Sequence, residues 1–278
     1  MVQISSDRYI PLEHPISDIP KFINEFSDLI NSQTLPQSHF LSPLLQTYYK
    51  WRAKSDWRTS RVPVEVLKLA MYAQDTMCFS EDWDRAKVRS YLVDRLRDPQ
   101  HCAGYLFEFR TGIHFKMLFP KVIWLSPLGR ASTPDIRVQT SNGITFSVEC
   151  VCKRSRPERS LNLNLFKGEV SIAVRDKAEQ HKQLEGALLI AVYVPEEFDW
   201  YDTTLRENLG ARIQTLFTNE PLDPVMDAVS GLVLISGRDP EEDKTDRGRA
   251  AYNMSNPVIG YRNPNATFEL KDDFIAPD

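Results

Sequence analysis

Apolar side chains recur at three- and four-residue intervals through the first part of the chain, and this spacing is typical of amphipathic helices. Ser80 and the two acidic residues after it resemble a helix start, because a hydroxyl can cap free N–H groups and acids favour the positive end of the helix dipole. The pattern predicts an N-terminal helical region, with helices over residues 22–30, 42–51, 63–77, 80–98 and 102–118.

After residue 120 the pattern changes to short runs rich in Val and Ile, bounded by Gly, Pro or Asn, which predict strands. Asn142 and Gly143 separate two of these runs and tolerate the positive φ angles of a tight hairpin turn. Helical spacing returns over 169–184 and 204–217, and the charged stretch 239–249 is interpreted as a solvated loop. The alternation predicts a mixed α/β sheet with helices on both faces and strands at 121–125, 135–139, 144–153, 187–194 and 231–236.

Composition narrows the classes of function. The 278 residues include 34 Lys and Arg against 38 Asp and Glu, a net charge of −4, so any nucleic-acid contact requires a local basic patch. Four cysteines do not make a disulfide framework, the first residues do not resemble a signal peptide, and no apolar run reaches the roughly 18 residues of a membrane helix. We therefore expect a cytoplasmic protein without membrane contact, with a helical accessory region over 1–100 and an α/β core over 101–278.

The chemistry is concentrated on two predicted strands joined by the Asn-Gly turn. Because strand side chains alternate, Glu149 and Lys153 project from one side, and the hairpin brings Asp135 onto the neighbouring strand. Two carboxylates can hold Mg²⁺ through oxygen, and the metal lowers the pKa of a bound water and neutralises phosphate charge. A nearby ammonium can orient that water. These groups suffice to hydrolyse a phosphodiester.

The Pro134-Asp135 pair, the hairpin and the strand acid Glu149 followed by a lysine resemble the PD-(D/E)xK nuclease superfamily. The predicted order of a helix, three strands, a helix and a fourth strand between residues 102 and 236 is also similar to that family's core. The resemblance implies a restriction-endonuclease-like fold and cleavage of DNA with Mg²⁺, or Mn²⁺ in its place. It implies Asp135 and Glu149 as catalytic metal ligands and Lys153 as the base that positions water.

Further roles follow from the same resemblance and from local charge. Family members often carry a helix acid before the first strand, which Glu108 matches, and polar residues on the helix after the lysine strand, which Lys177, Gln180 and His181 match. A basic segment follows Lys153 and is interpreted as a phosphate-contacting loop. The residues assigned to substrate binding are Arg154, Arg156, Arg159, Lys177 and Gln180.

One departure from the family pattern leaves alternatives open. Val151 stands where the family usually has its lysine, and Lys153 lies two residues further along the strand. The chain is therefore either a nuclease with a displaced lysine or a catalytically inactive module that binds nucleic acid or protein. Glu149 could also be neutralised by Lys153 or lie on the exposed face of an edge strand. A homodimer or a partner protein stays open, and a hydrolase that uses cysteine is the third hypothesis.

Overall fold

The computed structural model describes residues 4–6, 18–58, 61–77, 86–125, 133–152, 163–195, 198, 202–218, 224–236, 241–244, 250–253 and 258–270. The chain divides into two compact units. The sheet unit comprises Met1–Asp7, Thr111–Arg238 and Asn256–Asp278, and the helical unit comprises Arg8–Arg110 and Asp239–Ser255. The helical unit therefore extends beyond residue 100 and also takes in a segment from the C-terminal part of the chain.

Helices dominate the first third of the chain, and strands alternate with helices after it. The described elements in chain order are β1 (Ile4–Ser6), α1 (Ile19–Leu29), α2 (Ser42–Arg52), α3 (Val64–Met77), α4 (Ala86–Arg97), α5 (Cys102–Leu118), β2 (Lys121–Trp124), β3 (Ile136–Gln139), β4 (Thr145–Val151), α6 (Leu163–His181), β5 (Ala187–Val194), α7 (Thr203–Thr218), β6 (Gly231–Ser236), β7 (Glu241–Lys244), β8 (Ala250–Asn253) and β9 (Val258–Arg262).

All the helices and strands that the sequence predicts are present, with ends shifted by a few residues, although the predicted start of the fourth helix lies outside the described residues. The interpretation of 239–249 as a loop is wrong in part, because β7 lies within it and pairs antiparallel with β8. A run of charged residues without apolar ones gives no strand signal, and here cross-strand backbone pairing decides the structure. The terminal strands β1 and β9 were not predicted.

The sheet unit contains a seven-stranded mixed sheet in the order β1-β9-β6-β5-β4-β3-β2. Strands β2, β3 and β4 form an antiparallel meander, whereas β4, β5 and β6 run parallel. Helices α6 and α7 supply the two crossovers that parallel neighbours require. The protein is thus a mixed α/β fold, and β4 is an interior strand of its sheet, between β5 and β3.

Helices cover both faces of that sheet. Apolar residues of α6 and α7, including Val170, Val174 and Ile213, pack with Val151 of β4 and with inward residues of β5 and β6 on one face. On the other face, Phe115 at the C-terminal end of α5 contacts Phe146 of β4. An exposed edge strand is therefore excluded as the setting of Glu149. No described helix is both long and apolar enough to span a membrane.

Candidate active site

The β3–β4 hairpin determines which residues of the two strands face each other. Gly143 adopts a φ of +84°, which a side chain would disfavour, and its N–H donates to the Thr140 carbonyl at 3.0 Å. The turn sets a register in which Ile136 pairs with Val148. One residue further from the turn, this register brings Asp135 opposite Glu149 on the same face. The two acids are therefore neighbours because of a local turn.

Asp135 is anchored by backbone contacts on both sides. Its carbonyl accepts the Leu125 N–H at 2.7 Å, which extends the β2–β3 ladder, and its Oδ2 accepts the Cys150 N–H at 2.8 Å. The second bond holds the carboxylate against β4 directly beside Glu149. Among the described residues, Oδ1 of Asp135 receives no hydrogen bond and so keeps its lone pairs for another ligand.

Glu149 is only 1% exposed, yet it carries a carboxylate under a layer of apolar helix residues. Such burial is costly unless the charge is paired and hydrogen-bonded. Lys177 donates from Nζ to Oε1, and the His181 Nε2 lies 3.0 Å from Oε2. Because an ionised carboxylate can only accept, the His181 Nε2 carries the proton in this contact. Glu149 thus has a cationic or N–H partner on each oxygen.

Both partners come from consecutive turns of α6. Lys177 and His181 are four residues apart, so they lie on one face of the helix, continuous with the apolar residues Val170 and Val174 that pack on the sheet. The side chain of His181 is fully buried, whereas that of Lys177 is 31% exposed. The Nδ1 atom of His181 has no hydrogen-bond partner among the described residues. The packing of α6 therefore brings an ammonium and an imidazole to the acid pair.

The electrostatics of the acid pair raise the pKa of Asp135 to about 7. Burial is the largest cause and the Glu149 charge the second, and the Cys150 N–H together with Lys177 and His181 opposes them only in part. Burial alone would lower the pKa of Lys177, but the Glu149 carboxylate outweighs it, so the pKa of this ammonium lies above its ordinary value. The site therefore combines a permanent cation with a carboxylate that changes charge near neutral pH.

The donor set is compatible with a hard divalent cation. Within the described residues, no three His, Cys, Asp or Glu side chains converge as metal ligands. Magnesium, however, is commonly held by one or two carboxylates, with water and substrate phosphate completing its shell. No described residue donates to Oδ1 of Asp135, and each Glu149 oxygen has a second lone pair beside the one that Lys177 or His181 uses. Asp135 and Glu149 would be the residues that hold the ion.

The other residues singled out from the sequence are dispersed. Val151 is buried in the core against α6. Gln180 is exposed on α6, and Glu108 is half-buried in the part of α5 that belongs to the helical unit. The basic segment lies outside the described residues. The roles predicted for its members therefore stay predictions; these residues are Lys153, Arg154, Arg156 and Arg159.

Sequence reasoning grouped Lys177 and His181 as polar residues of the helix after the lysine strand, and assigned Lys177 to substrate binding. The structure brings both onto Glu149. A helical-wheel argument could have indicated this, because Lys177 and His181 lie three and seven residues after Val174, on the face that the series Phe166, Val170 and Val174 begins. A charged residue inside such a series points towards a buried counter-charge, which Glu149 supplies.

Comparison with known proteins adds nothing to this geometry, since no family model, no curated protein and no solved structure matches the chain. Any function proposed for the protein must therefore rest on the arrangement of its own residues.

Proposed function

We propose that the protein is a metal-dependent nuclease that hydrolyses phosphodiester bonds of DNA, with a divergent PD-(D/E)xK site on a restriction-endonuclease-like core. The observation that carries the proposal is the ammonium of Lys177 at an acid pair formed by Asp135 and Glu149. Two carboxylates and a lysine are the set that this chemistry needs. The order of α5, β2, β3, β4, α6 and β5, with β4 parallel to β5, supports the fold assignment.

Each residue has a role that follows from its surroundings. Asp135 and Glu149 would hold a Mg²⁺ or Mn²⁺ ion, which supplies a bound water of lowered pKa and neutralises phosphate charge. Lys177 is partly exposed, so its ammonium can reach from Glu149 to a bound phosphate or water and stabilise developing negative charge. In this proposal Lys177 supplies from α6 the cation that the sequence pattern would draw from Lys153.

A second candidate is favoured by one specific observation. Both oxygens of Glu149 already accept hydrogen bonds, from Lys177 and His181. A carboxylate held in this way is also what a purely structural buried ion pair would show. The second candidate is therefore a catalytically inactive module of the same core that binds nucleic acid or a protein.

A cleavage assay separates the two candidates. Supercoiled plasmid and a fluorescein-labelled duplex are incubated with the wild-type protein in Mg²⁺, in Mn²⁺ or in EDTA. We expect cleavage only with the metals, and a loss of about 100-fold or more in D135N and in E149Q, because the acid pair would then no longer hold the ion. Calorimetric titration with Mn²⁺ reports the same site without substrate.

Matched controls come from the exposed side of α6. Asp176 and Glu179 are exposed acids on the same helix, so D176N and E179Q remove an equal charge without touching the acid pair. Both should cleave like the wild type. Wild-type protein that neither cleaves DNA nor binds Mn²⁺ contradicts the nuclease proposal and favours the inactive module. Cleavage that survives in both D135N and E149Q removes the assigned site.

A further inference from the structure

The buried imidazole of His181 has a placement that packing alone does not explain. His181 is the last residue of α6, its side chain is fully buried, and the only described hydrogen bond of the ring joins Nε2 to Glu149. Its Nδ1 is buried without a partner among the described residues. A buried unpaired nitrogen costs stability, so an apolar side chain would serve the core better than this ring does.

His181 and Lys177 divide the two oxygens of Glu149 between them. Lys177 donates to Oε1, and the imidazole lies on Oε2. A carboxylate held at one oxygen by a flexible, partly exposed lysine can rotate, whereas a second donor from a fully buried ring prevents that rotation. The rigid contact therefore determines where Oε1 points, and with it where the ammonium of Lys177 sits.

We propose that His181 is a positioning residue of the site, which holds Glu149 in the orientation that places the Lys177 ammonium for the reaction. The proposal rests on the nuclease function proposed above and adds a residue to it. His181 touches no reacting atom in this scheme, because it acts through Glu149.

The test uses two substitutions of the same residue. H181Q keeps an N–H donor near the place of Nε2, whereas H181L keeps volume and removes the donor. For cleavage of a duplex with Mg²⁺, we expect H181L to lower kcat by about 10- to 100-fold with KM nearly unchanged, as is usual when the partner of a site carboxylate is lost. We expect H181Q to recover most of that loss.

A readout independent of activity reports the positioning itself. The ammonium group of an ordered, paired lysine gives a separate signal in ¹⁵N-detected NMR of the labelled protein, assigned to Lys177 by its disappearance in K177M. The signal should persist in wild type and H181Q, and should broaden or vanish in H181L and in E149Q. In E179Q it should be unchanged, since Glu179 pairs with Lys182 on the exposed side of the helix.

Loss of stability is controlled by V174A, which removes buried volume from the same helix face and leaves both hydrogen-bond partners of Glu149 in place. Under conditions where it is folded, V174A should retain cleavage and the Lys177 signal. An unchanged Lys177 signal in H181L overturns the proposal whatever the cleavage assay gives. Equal loss of kcat in H181Q and H181L also overturns it. Absence of metal-dependent cleavage by the wild type overturns the nuclease function instead, and the Lys177 signal then tests the positioning alone.

Discussion

Each unit of the protein contains a buried carboxylate, and the two are neutralised in different ways. In the helical unit, Asp75 of α3 is 2% exposed and accepts hydrogen bonds from Nη1 of Arg110, at 3.2 Å and 3.3 Å to its two oxygens. In the sheet unit, Glu149 has two partners, Lys177 and His181, and a second acid, Asp135, on the neighbouring strand. Only the second arrangement includes a partly exposed cation.

The difference separates a structural ion pair from a site that can react. Asp75 and Arg110 are both buried and neutralise each other, so the pair presents little charge to solvent. Within the described part of the chain, the cluster around Glu149 leaves Oδ1 of Asp135 without a hydrogen bond, and it presents Lys177 to solvent. A second acid in such a cluster destabilises the fold unless it is protonated or binds a cation. The second acid therefore lowers the stability of the folded protein, as is expected of a group kept for function.

The largest expected effect is on the structural pair. In R110M, Asp75 stays buried without its guanidinium, and we expect the free energy of unfolding to fall by about 3–5 kcal/mol. In K177M, Glu149 keeps His181 and the lost cation was partly solvated, so we expect a smaller fall, of about 2 kcal/mol, from the buried acceptor left unsatisfied. Urea denaturation followed by circular dichroism measures both, with R89M on the exposed surface of α4 as the control. Equal losses in R110M and K177M would abolish the distinction between the two carboxylates.

The second effect is on activity, where the loss is expected at the acid pair rather than at the structural ion pair. In K177M, metal-dependent cleavage of a DNA duplex should fall by about 100-fold, because the ammonium that stabilises developing charge is lost. K182M is the matched control, since Lys182 lies on the same helix and pairs with the exposed Glu179. It should cleave at the wild-type rate. Cleavage by K177M at the rate of K182M would show that the cation at Glu149 has a structural role only.

The third effect is a dependence of stability on pH. The pKa of Asp135 is about 7 in the folded protein and near its ordinary value of 3.8 in the unfolded chain. The folded state therefore binds the proton more tightly, and stability falls as pH rises between these values. Relative to wild type, the free energy of unfolding of D135N should rise by a few kcal/mol between pH 4 and pH 8. Urea titrations in EDTA at several pH values measure this gain.

D176N is the control for this titration, because Asp176 is exposed on α6. Its stability should follow that of the wild type at every pH. If the difference between D135N and wild type is the same at pH 4 and pH 8, the pKa of Asp135 is not raised and the acid pair is not coupled.

The smallest effect is also a dependence of stability on pH, and it concerns His39 in the helical unit. Here stability falls as pH falls, whereas Asp135 lowers stability as pH rises. Burial lowers the pKa of His39, although its contact with the Leu96 carbonyl and the charge of Asp98 oppose this. Its Nδ1 accepts the Leu41 N–H at 3.2 Å, which requires the neutral ring. The folded state thus binds the proton less tightly, so the wild type should lose stability relative to H39Q as pH falls from 7 to 5. A difference that grows as pH rises would contradict this assignment.

Much of the fold was predictable because its signals are local. Helical and strand periodicities located α1 to α7 and five of the strands, including β5, whose bounds Ala187–Val194 were predicted as they stand. The strands that were missed carry weak local signals. β7 consists of charged residues, and β1 and β9 pair with strands far away in the chain. Their pairing depends on which edge of the sheet is available, which no local pattern encodes.

The acid pair itself is determined by the amino-acid sequence. A three-residue turn over Ser141, Asn142 and Gly143, with Gly143 at positive φ, sets the register of the β3–β4 hairpin, and counting outward from it brings Asp135 opposite Glu149. Only the tertiary structure decided which cations meet these acids. Lys177 and His181 lie 28 and 32 residues from Glu149, and they reach it because the apolar face of α6 packs on β4 and β5. That contact depends on the depth and angle of helix packing, which many core residues set together.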